Sequence, residues 1–296
     1  MKIRNQMQKN GARAVTDARQ WKCGVSACFG NLEEELFREY SKSGIDCMEI
    51  SLSAQQCEDI NWKKTRELSE KYGVELWSFH LPFWPFESFD ISGVSSSDVK
   101  AVIDVQKEYI RKFSDIGIKI GVIHPSGEPI GEACRYDAVS RAKESLAEIA
   151  DFAAVHGAEI AVENLPRTCL GNCSVELADI VYSDSRLRVC YDTNHLLGED
   201  NIHFIENIGD KIITIHVSDY DFINERHWMP GEGKNDWTGI VTALEKAGYN
   251  GPFMYEIDLE PPESIRRRTL TFDDFYDNYI SCINKRPAKV LGIPQV

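Results

Sequence analysis

"VIHPSGEP" (residues 122–129) holds the junction on which the fold turns. It closes an apolar, β-branched run, "KIGVIH" (119–124), on an imidazole, and Pro125 and Gly127 then stop the run. A run bounded in this way reads as a buried strand that ends at His124. One histidine at a strand end is ordinarily a rim residue satisfied by its own neighbours. Here the event recurs along the chain. "WSFHLPF" ends a run on His80, "IAVENLPR" on Glu163, and "VCYDTNHLLG" on Asp192, with His195 three residues later. "ITIHVSDYD" then ends on His216 and "FMYEID" on Glu256.

Working outward, eight short β-rich runs follow one another from about residue 22. They are "KCGVSA", "DCMEIS", "VELWSFH", "IKIGVIH", "EIAVEN", "RVCYD", "IITIHVS" and "PFMYEID". Amphipathic stretches separate them. In "YDAVSRAKESLAEIADFAAVHG" (136–157), Ala138, Ala142, Leu146, Ile149 and Ala153 recur at helical spacing, and His156-Gly157 supplies the C-cap. "CSVELADIVYS" (173–183) offers Ser174 as an N-cap. The runs are nearly continuous in apolar character, which suits strands buried on both faces of a parallel sheet. Eight such units predict an α/β fold, a closed (β/α)₈ TIM barrel, more readily than an open sheet. A doubly wound sheet is the alternative, but no glycine-rich phosphate turn follows any strand. The expected organisation is an N-terminal extension over 1–21, a single catalytic barrel over 22–283 and a tail over 284–296. The tail is expected to pack on the outside or to join a subunit contact in a homo-oligomer.

Composition narrows the function. A formal charge of −14 weighs against a protein that grips nucleic acid over a broad surface, although it leaves room for a local anion site. The basic run "IRRRT", with Arg266, Arg267 and Arg268, reads as a solvated helix face rather than a phosphate clamp. Nine scattered cysteines and a polar first twenty residues read as reduced thiols in a cytoplasmic protein. Cys169 and Cys173 lack a second pair and read as bystanders. No stretch approaches a membrane-spanning length.

In a parallel barrel all these strand ends surround one mouth. Six consecutive strands therefore bring a carboxylate or an imidazole to one small space. Glu163, Asp192 and Glu256 would crowd three anions there, which is costly unless a cation neutralises them. One divalent ion held by these carboxylates and His216 resolves the conflict. The mixed oxygen and nitrogen set suits Mn²⁺, Mg²⁺, Co²⁺ or Zn²⁺.

The series "FHLP", "VIHPSG", "VENLPR", "YDTNH", "IHVSDYD", "HWMPGEG" and "YEID" resembles the xylose isomerase-like TIM-barrel superfamily. Within it the chain is similar to the sugar phosphate isomerase/epimerase group, with its tagatose 3-epimerase-like and hydroxypyruvate isomerase-like enzymes, and also to the endonuclease IV branch. The resemblance spans about residues 22–258. It implies that Glu163, Asp192, His216 and Glu256 ligate the metal, and that His195 contacts substrate or a second metal. Endonuclease IV carries Asp-x-His after strand seven, where this chain has Glu225-Arg226-His227. His80, His124, Glu163, His195 and His227 would then stand where a three-zinc cluster needs them. Tagatose 3-epimerase-like enzymes carry an arginine in that loop for substrate hydroxyls. Here His227 takes about that place with Arg226 beside it.

Further residues are expected at the mouth. Phe83, Trp84 and Phe86 in "LPFWPF", and Trp228 after His227, either wall a sugar ring or pack on each other. Glu49 in "CMEIS" points to the same mouth, and Arg167 holds either a substrate group or a neighbouring carboxylate. The expected function is a metal-dependent isomerase or epimerase of a small keto-sugar, sugar phosphate or polyol-derived substrate. Glu163 and Glu256 would move the proton through an enediolate whose charge the metal stabilises. His80, His124, His195, Arg226, His227, Trp84, Glu49 and Arg167 would bind substrate. The alternatives are an endonuclease IV-like zinc phosphodiesterase acting on abasic DNA, and a catalytically silent sugar-binding barrel.

Overall fold

The computed structural model describes residues 21–28 and 32–295. Apart from Trp21, the expected N-terminal extension lies outside the described residues. Eight parallel strands alternate with helices: β1 (Cys23–Ser26), β2 (Cys47–Ile50), β3 (Glu75–His80), β4 (Ile120–Ile123), β5 (Glu159–Glu163), β6 (Leu187–Asp192), β7 (Ile212–His216) and β8 (Phe253–Tyr255). They pair in the order β7-β6-β5-β4-β3-β2-β1-β8. The ring closes just past the end of β7, where Val217 bridges Tyr255 and its N–H donates to the Met254 carbonyl at 2.8 Å. This is the (β/α)₈ barrel that the eight runs predict.

Strand parity answers the question posed by His124. Ile120 and Val122 face the barrel interior, where they pack with Ala161, Cys190, Trp77 and Ile213. One further step of two along each strand carries β4 to His124, β5 from Ala161 to Glu163 and β6 from Cys190 to Asp192. Each interior file is thus apolar at the floor and polar at the rim. Gly121 faces the other way. A Cβ there would stand 3.1 Å from Phe113 Cζ and 3.3 Å from Ile160 Cδ1, so the glycine lets helix α4 (Ser96–Asp115) close on the sheet.

Two irregularities set the register of the rim. Between β2 and β3 the ladder shifts after Met48, so that Glu49 stands opposite Ser78 rather than Trp77. Between β6 and β7 it shifts after Val189, which brings Asp192 level with His216. An extra residue in one strand re-aims everything beyond it.

Helix α5 (Arg135–Val155) buries Ala138, Ala142, Leu146, Ile149 and Ala153, the stripe read from their spacing, and ends with His156 as C-cap. Two local expectations are corrected. Ser174 is the first helical residue of α6 (Ser174–Val181), and Glu199 accepts both its N–H and its hydroxyl at 2.6 Å. The "IRRRT" run is not a helix. Ile265–Arg266 forms a short strand that pairs with Ile293–Pro294 of the tail. Arg267 turns inward, 3.9 Å from Glu232, and Arg268 pairs with Asp274 at 2.7 Å. The tail therefore folds back onto the segment that follows β8. Among the described residues no helix is long and apolar enough to cross a membrane. All nine cysteines are free.

Candidate metal centre

Glu163, at the end of β5 and only 1% exposed, is the hub of the mouth. Its Oε1 lies 3.1 Å from His216 Nδ1 and 3.5 Å from His195 Nδ1. Its Oε2 lies 3.1 Å from His80 Nε2 and 3.2 Å from His124 Nε2. Around it the ligand-bearing atoms fall into three groups, each within 4.8 Å: Glu163 with Asp192, His216 and Glu256; Glu163 with His80 and His124; and His195 with Glu225 and His227. All six strand-end residues, with His195, therefore share one space.

Most of these imidazoles have one nitrogen already committed. A carbonyl only accepts, so a ring nitrogen bound to one must carry the proton. His80 Nδ1 donates to the Leu81 carbonyl at 2.9 Å, His195 Nδ1 to the Asn164 carbonyl at 2.9 Å, and His227 Nδ1 to the Glu256 carbonyl at 3.1 Å. In the neutral ring this leaves Nε2 as the lone-pair nitrogen. His216 is reversed: Nδ1 faces Glu163, and Nε2 lies 3.0 Å from Glu49 Oε1.

Buried amides hold the carboxylates in place. Asn164 brackets the Asp192 backbone, accepting its N–H at 2.7 Å and donating to its carbonyl at 2.9 Å. Asp192 Oδ1 accepts the Asn194 N–H at 2.6 Å, while Oδ2 is buried with no hydrogen-bond partner among the described residues. Asn194 in turn accepts the Arg226 N–H at 2.9 Å, which ties the loop after β7 to the end of β6.

The electrostatics follow from this crowding. Burial would raise Glu163, but His216, with hydrogen bonds from His124 and His80, holds it well below the usual carboxylate range. For Asp192 burial prevails, with Glu256 and Glu163 adding to it, and its carboxyl is pushed up. Burial would lower His195, yet Asp192, Glu225 and Glu163 bring it up to about 10. His216 is likewise raised against its burial, by Cys190, Glu256, Glu49 and Glu163. Protons gather on this cluster because its carboxylates need positive charge. A divalent cation meets the same need, and Asp192 Oδ2, an orphaned oxygen aimed into the four-residue group, fits one. The donor set is chemically suited to a metal ion.

The remaining candidates separate. Glu49, placed at the mouth on sequence grounds, is fully buried one layer below it. Arg167 forms a fork on Glu128, at 2.9 and 2.8 Å, and reaches Glu225 at 2.8 Å. Of the two roles left open for it, the carboxylate partner is the one observed. Arg226 pairs with Asp221 at 2.8 Å and lies over Trp228, so its guanidinium is engaged. Trp84, 59% exposed, stands edge-on to Phe86, whereas Phe83 packs on His124 with ring centres 4.3 Å apart. Glu225 had no assigned role. It links His195 Nε2, at 3.4 Å, to Arg167, and those two partners hold its carboxyl at about 2 against the effect of burial. Its only sequence signal is the position two residues before His227. Arg167, Phe222 and His227 adopt left-handed backbone, with φ of 52°, 63° and 50°. All three lie in loops of the mouth, where such conformations commonly serve a site.

Residues 37–272 match the family described as xylose isomerase-like TIM barrel, and the chain belongs to that family. Among curated relatives, a fructoselysine 3-epimerase of Shigella flexneri is 25% identical over 238 residues, covering 74% of this chain and 82% of that protein. A probable endonuclease 4 of Staphylococcus aureus is 29% identical over 180 residues, 55% of this chain and 58% of that protein. A solved structure described as a D-tagatose 3-epimerase-like protein superposes with a TM-score of 0.75 at 21% identity, covering 89% of this chain and 98% of its own. Likeness at that identity establishes the fold. The barrel thus resembles sugar 3-epimerases and carries buried histidine and carboxylate groups suited to metal.

Proposed function

We propose that this protein is a divalent metal-dependent isomerase or epimerase of a small keto-sugar, sugar phosphate or polyol-derived substrate. The observation that carries the reading is the convergence of two glutamates, from β5 and the end of β8, on one cation-seeking group. Glu163 Oε1 and Glu256 Oε2 approach the same His216 Nδ1 at 3.1 and 3.5 Å. Similarity to a fructoselysine 3-epimerase over most of the chain supports it. Glu163, Asp192, His216 and Glu256 would hold the ion, with Mn²⁺, Mg²⁺, Co²⁺ and Zn²⁺ all compatible. When bound, it supplies positive charge beside the substrate oxygens.

The chain's own groups do the rest. Glu256, 15% exposed at the side chain, is the more open of the two glutamates. It removes or returns the proton on the carbon beside the carbonyl, and Glu163 serves the opposite face. Asp192 and His216 orient. His195, His227, His80 and His124 bind hydroxyls wherever their ring nitrogens are not taken by metal. Phe83 and Trp84 wall the sugar. Nine free cysteines suit a cytoplasmic setting. Turnover of ketoses in heavy water tests the reading: solvent deuterium should appear at the isomerised or epimerised carbon.

A second reading rests on Glu163 itself. Histidines approach both of its oxygens, so Glu163 would help hold an ion in each of two groups, and His195, Glu225 and His227 would hold a third. Several ions held there would supply the positive charge that hydrolysis of a phosphodiester uses. Incision of an abasic-site duplex, abolished by Glu163→Gln, would favour this reading over the sugar one.

A further inference from the structure

Glu49, expected from sequence to bind substrate, is instead a fully buried carboxylate that the proposed function leaves without a role. It projects from β2 beneath the mouth. Ser78 Oγ donates to its Oε2 at 2.7 Å, and Ser26 Oγ approaches Oε1 at 3.4 Å. The remaining contact is the short one, His216 Nε2 to Oε1 at 3.0 Å, which is bent away from the N–H axis. A carboxylate in a barrel interior carries a desolvation cost that an apolar residue of similar volume avoids. Packing alone gives no reason for it.

We propose that Glu49 is a positioning residue of the metal centre, fixing the proton of His216 on Nε2 so that Nδ1 presents its lone pair to the group of Glu163, Asp192 and Glu256. The inference rests on the metal reading above. A neutral imidazole carries one proton on either nitrogen. With a carboxylate oxygen 3.0 Å from Nε2, the tautomer protonated at Nδ1 would set two lone pairs against each other. The other tautomer turns that contact into an attraction and makes Nδ1 more basic; it leaves a lone pair against Glu163 Oε1 at 3.1 Å, which a cation held by the group would relieve.

His216 differs in this from its neighbours. His80, His195 and His227 are held by neutral backbone carbonyls. Only His216 among these four is backed by an anion, and a charged acceptor holds an N–H more strongly than a neutral one. The group containing His216 should therefore be the tightest of the three and take the first equivalent of metal. The register shift after Met48 belongs to the same device, because it sets Ser78 opposite Glu49 and so fixes the carboxylate that fixes the ring.

The test is titration of chelator-stripped protein with Co²⁺, followed by calorimetry and by the visible spectrum of the bound ion. Wild type, Glu49→Gln, Glu49→Ala and Ser78→Ala are compared after circular dichroism has established that each is folded. Glu49→Ala should weaken the first equivalent by about 10–100-fold and change its spectrum. Glu49→Gln keeps an oxygen that accepts the Nε2 proton and should recover much of the affinity and the native spectrum. Should the alanine variant not fold, Glu49→Gln and Ser78→Ala carry the test through smaller losses of the first equivalent. First-site affinity within twofold of wild type in every folded variant would overturn the proposal, as would lower melting temperatures with unchanged affinity. A wild-type chain that binds no Co²⁺ would overturn both this and the metal reading. A loss confined to the variants sustains it whatever the sugar assays show.

Discussion

Asp192 and His216 stand level across β6 and β7 because the ladder slips by one residue after Val189. Without that slip the partner of Asp192 would be a neighbour of His216, whose side chain faces the opposite side of the sheet. The grouping of these metal-suited side chains is thus a property of strand register as well as of residue identity. Inserting one alanine between Thr214 and Ile215 would set Asp192 opposite Ile215 and should remove first-site Co²⁺ binding even where circular dichroism reports a folded barrel, and calorimetry reads the loss.

Asp192→Asn separates the charge of this residue from its place in the fold. The amide oxygen still accepts the Asn194 N–H, so the turn is kept. One of three crowded carboxylates is gone, and the metal-free variant should be more stable than metal-free wild type at pH 8, by about 0.5–2 kcal/mol. Its metal affinity should fall at least tenfold. Urea melts with and without Co²⁺ measure both, and a less stable metal-free variant would contradict the crowding argument.

Ion stoichiometry distinguishes the two functional readings. One tight equivalent, at the group holding Asp192 and His216, is expected for the isomerase or epimerase. At 100 times its dissociation constant, that ion should stabilise the fold by about 2.7 kcal/mol. About three zincs per chain by elemental analysis, together with abasic-duplex incision, would favour the phosphodiesterase.

The proton-transfer roles make a kinetic demand. Glu256→Gln and Glu163→Gln should each slow the chemical step by roughly 10²–10⁴-fold and abolish deuterium incorporation in proportion. His195→Ala should weaken substrate binding more than exchange. Product formed without solvent label would point instead to hydride transfer or internal proton return.

A pH dependence is also expected outside the three metal-suited groups. Asp274 caps α9 (Phe272–Ile283), accepting from Thr271 and from both arms of Arg268. Burial would raise its carboxyl, but Arg268 and Thr271 hold it at about 2. An unfolded aspartate titrates near ~3.9. The depressed folded value means that this stabilisation is complete above the unfolded value and is lost as pH falls from about 4 towards 2. Asp274→Ala should cost about 1 kcal/mol at pH 7, as lost caps do, and the difference from wild type should shrink below pH 4 in urea melts.

The strand-end pattern was legible because parity is simple. Once Ile120 and Val122 are taken as interior, His124 must follow, and the same count carries Ala161 to Glu163. The two register shifts were not legible. Trp77 and Ile213, which absorb them, are apolar residues in apolar runs, and a pattern of period two does not reveal one extra member. The depth of Glu49 was hidden for the same reason, since its layer depends on the shift beside it. Glu225 was obscured by its loop, where contacts come from folding rather than from periodicity. Arg267 was misread because a basic run suggests solvent, and only the returning tail supplies its burial.

Glu163, Asp192, His216 and His80 all sit on strands, whereas Glu225, His227, Trp84 and Arg167 ride on connecting loops. The barrel is therefore divided between a floor fixed by its strands and a rim built of loops. Loops of different length can be grafted above those four strand residues without moving them, because the strand ladder and not the loop fixes their positions. Exchange of a rim loop should therefore change what the mouth admits while leaving those four side chains where the ladder holds them.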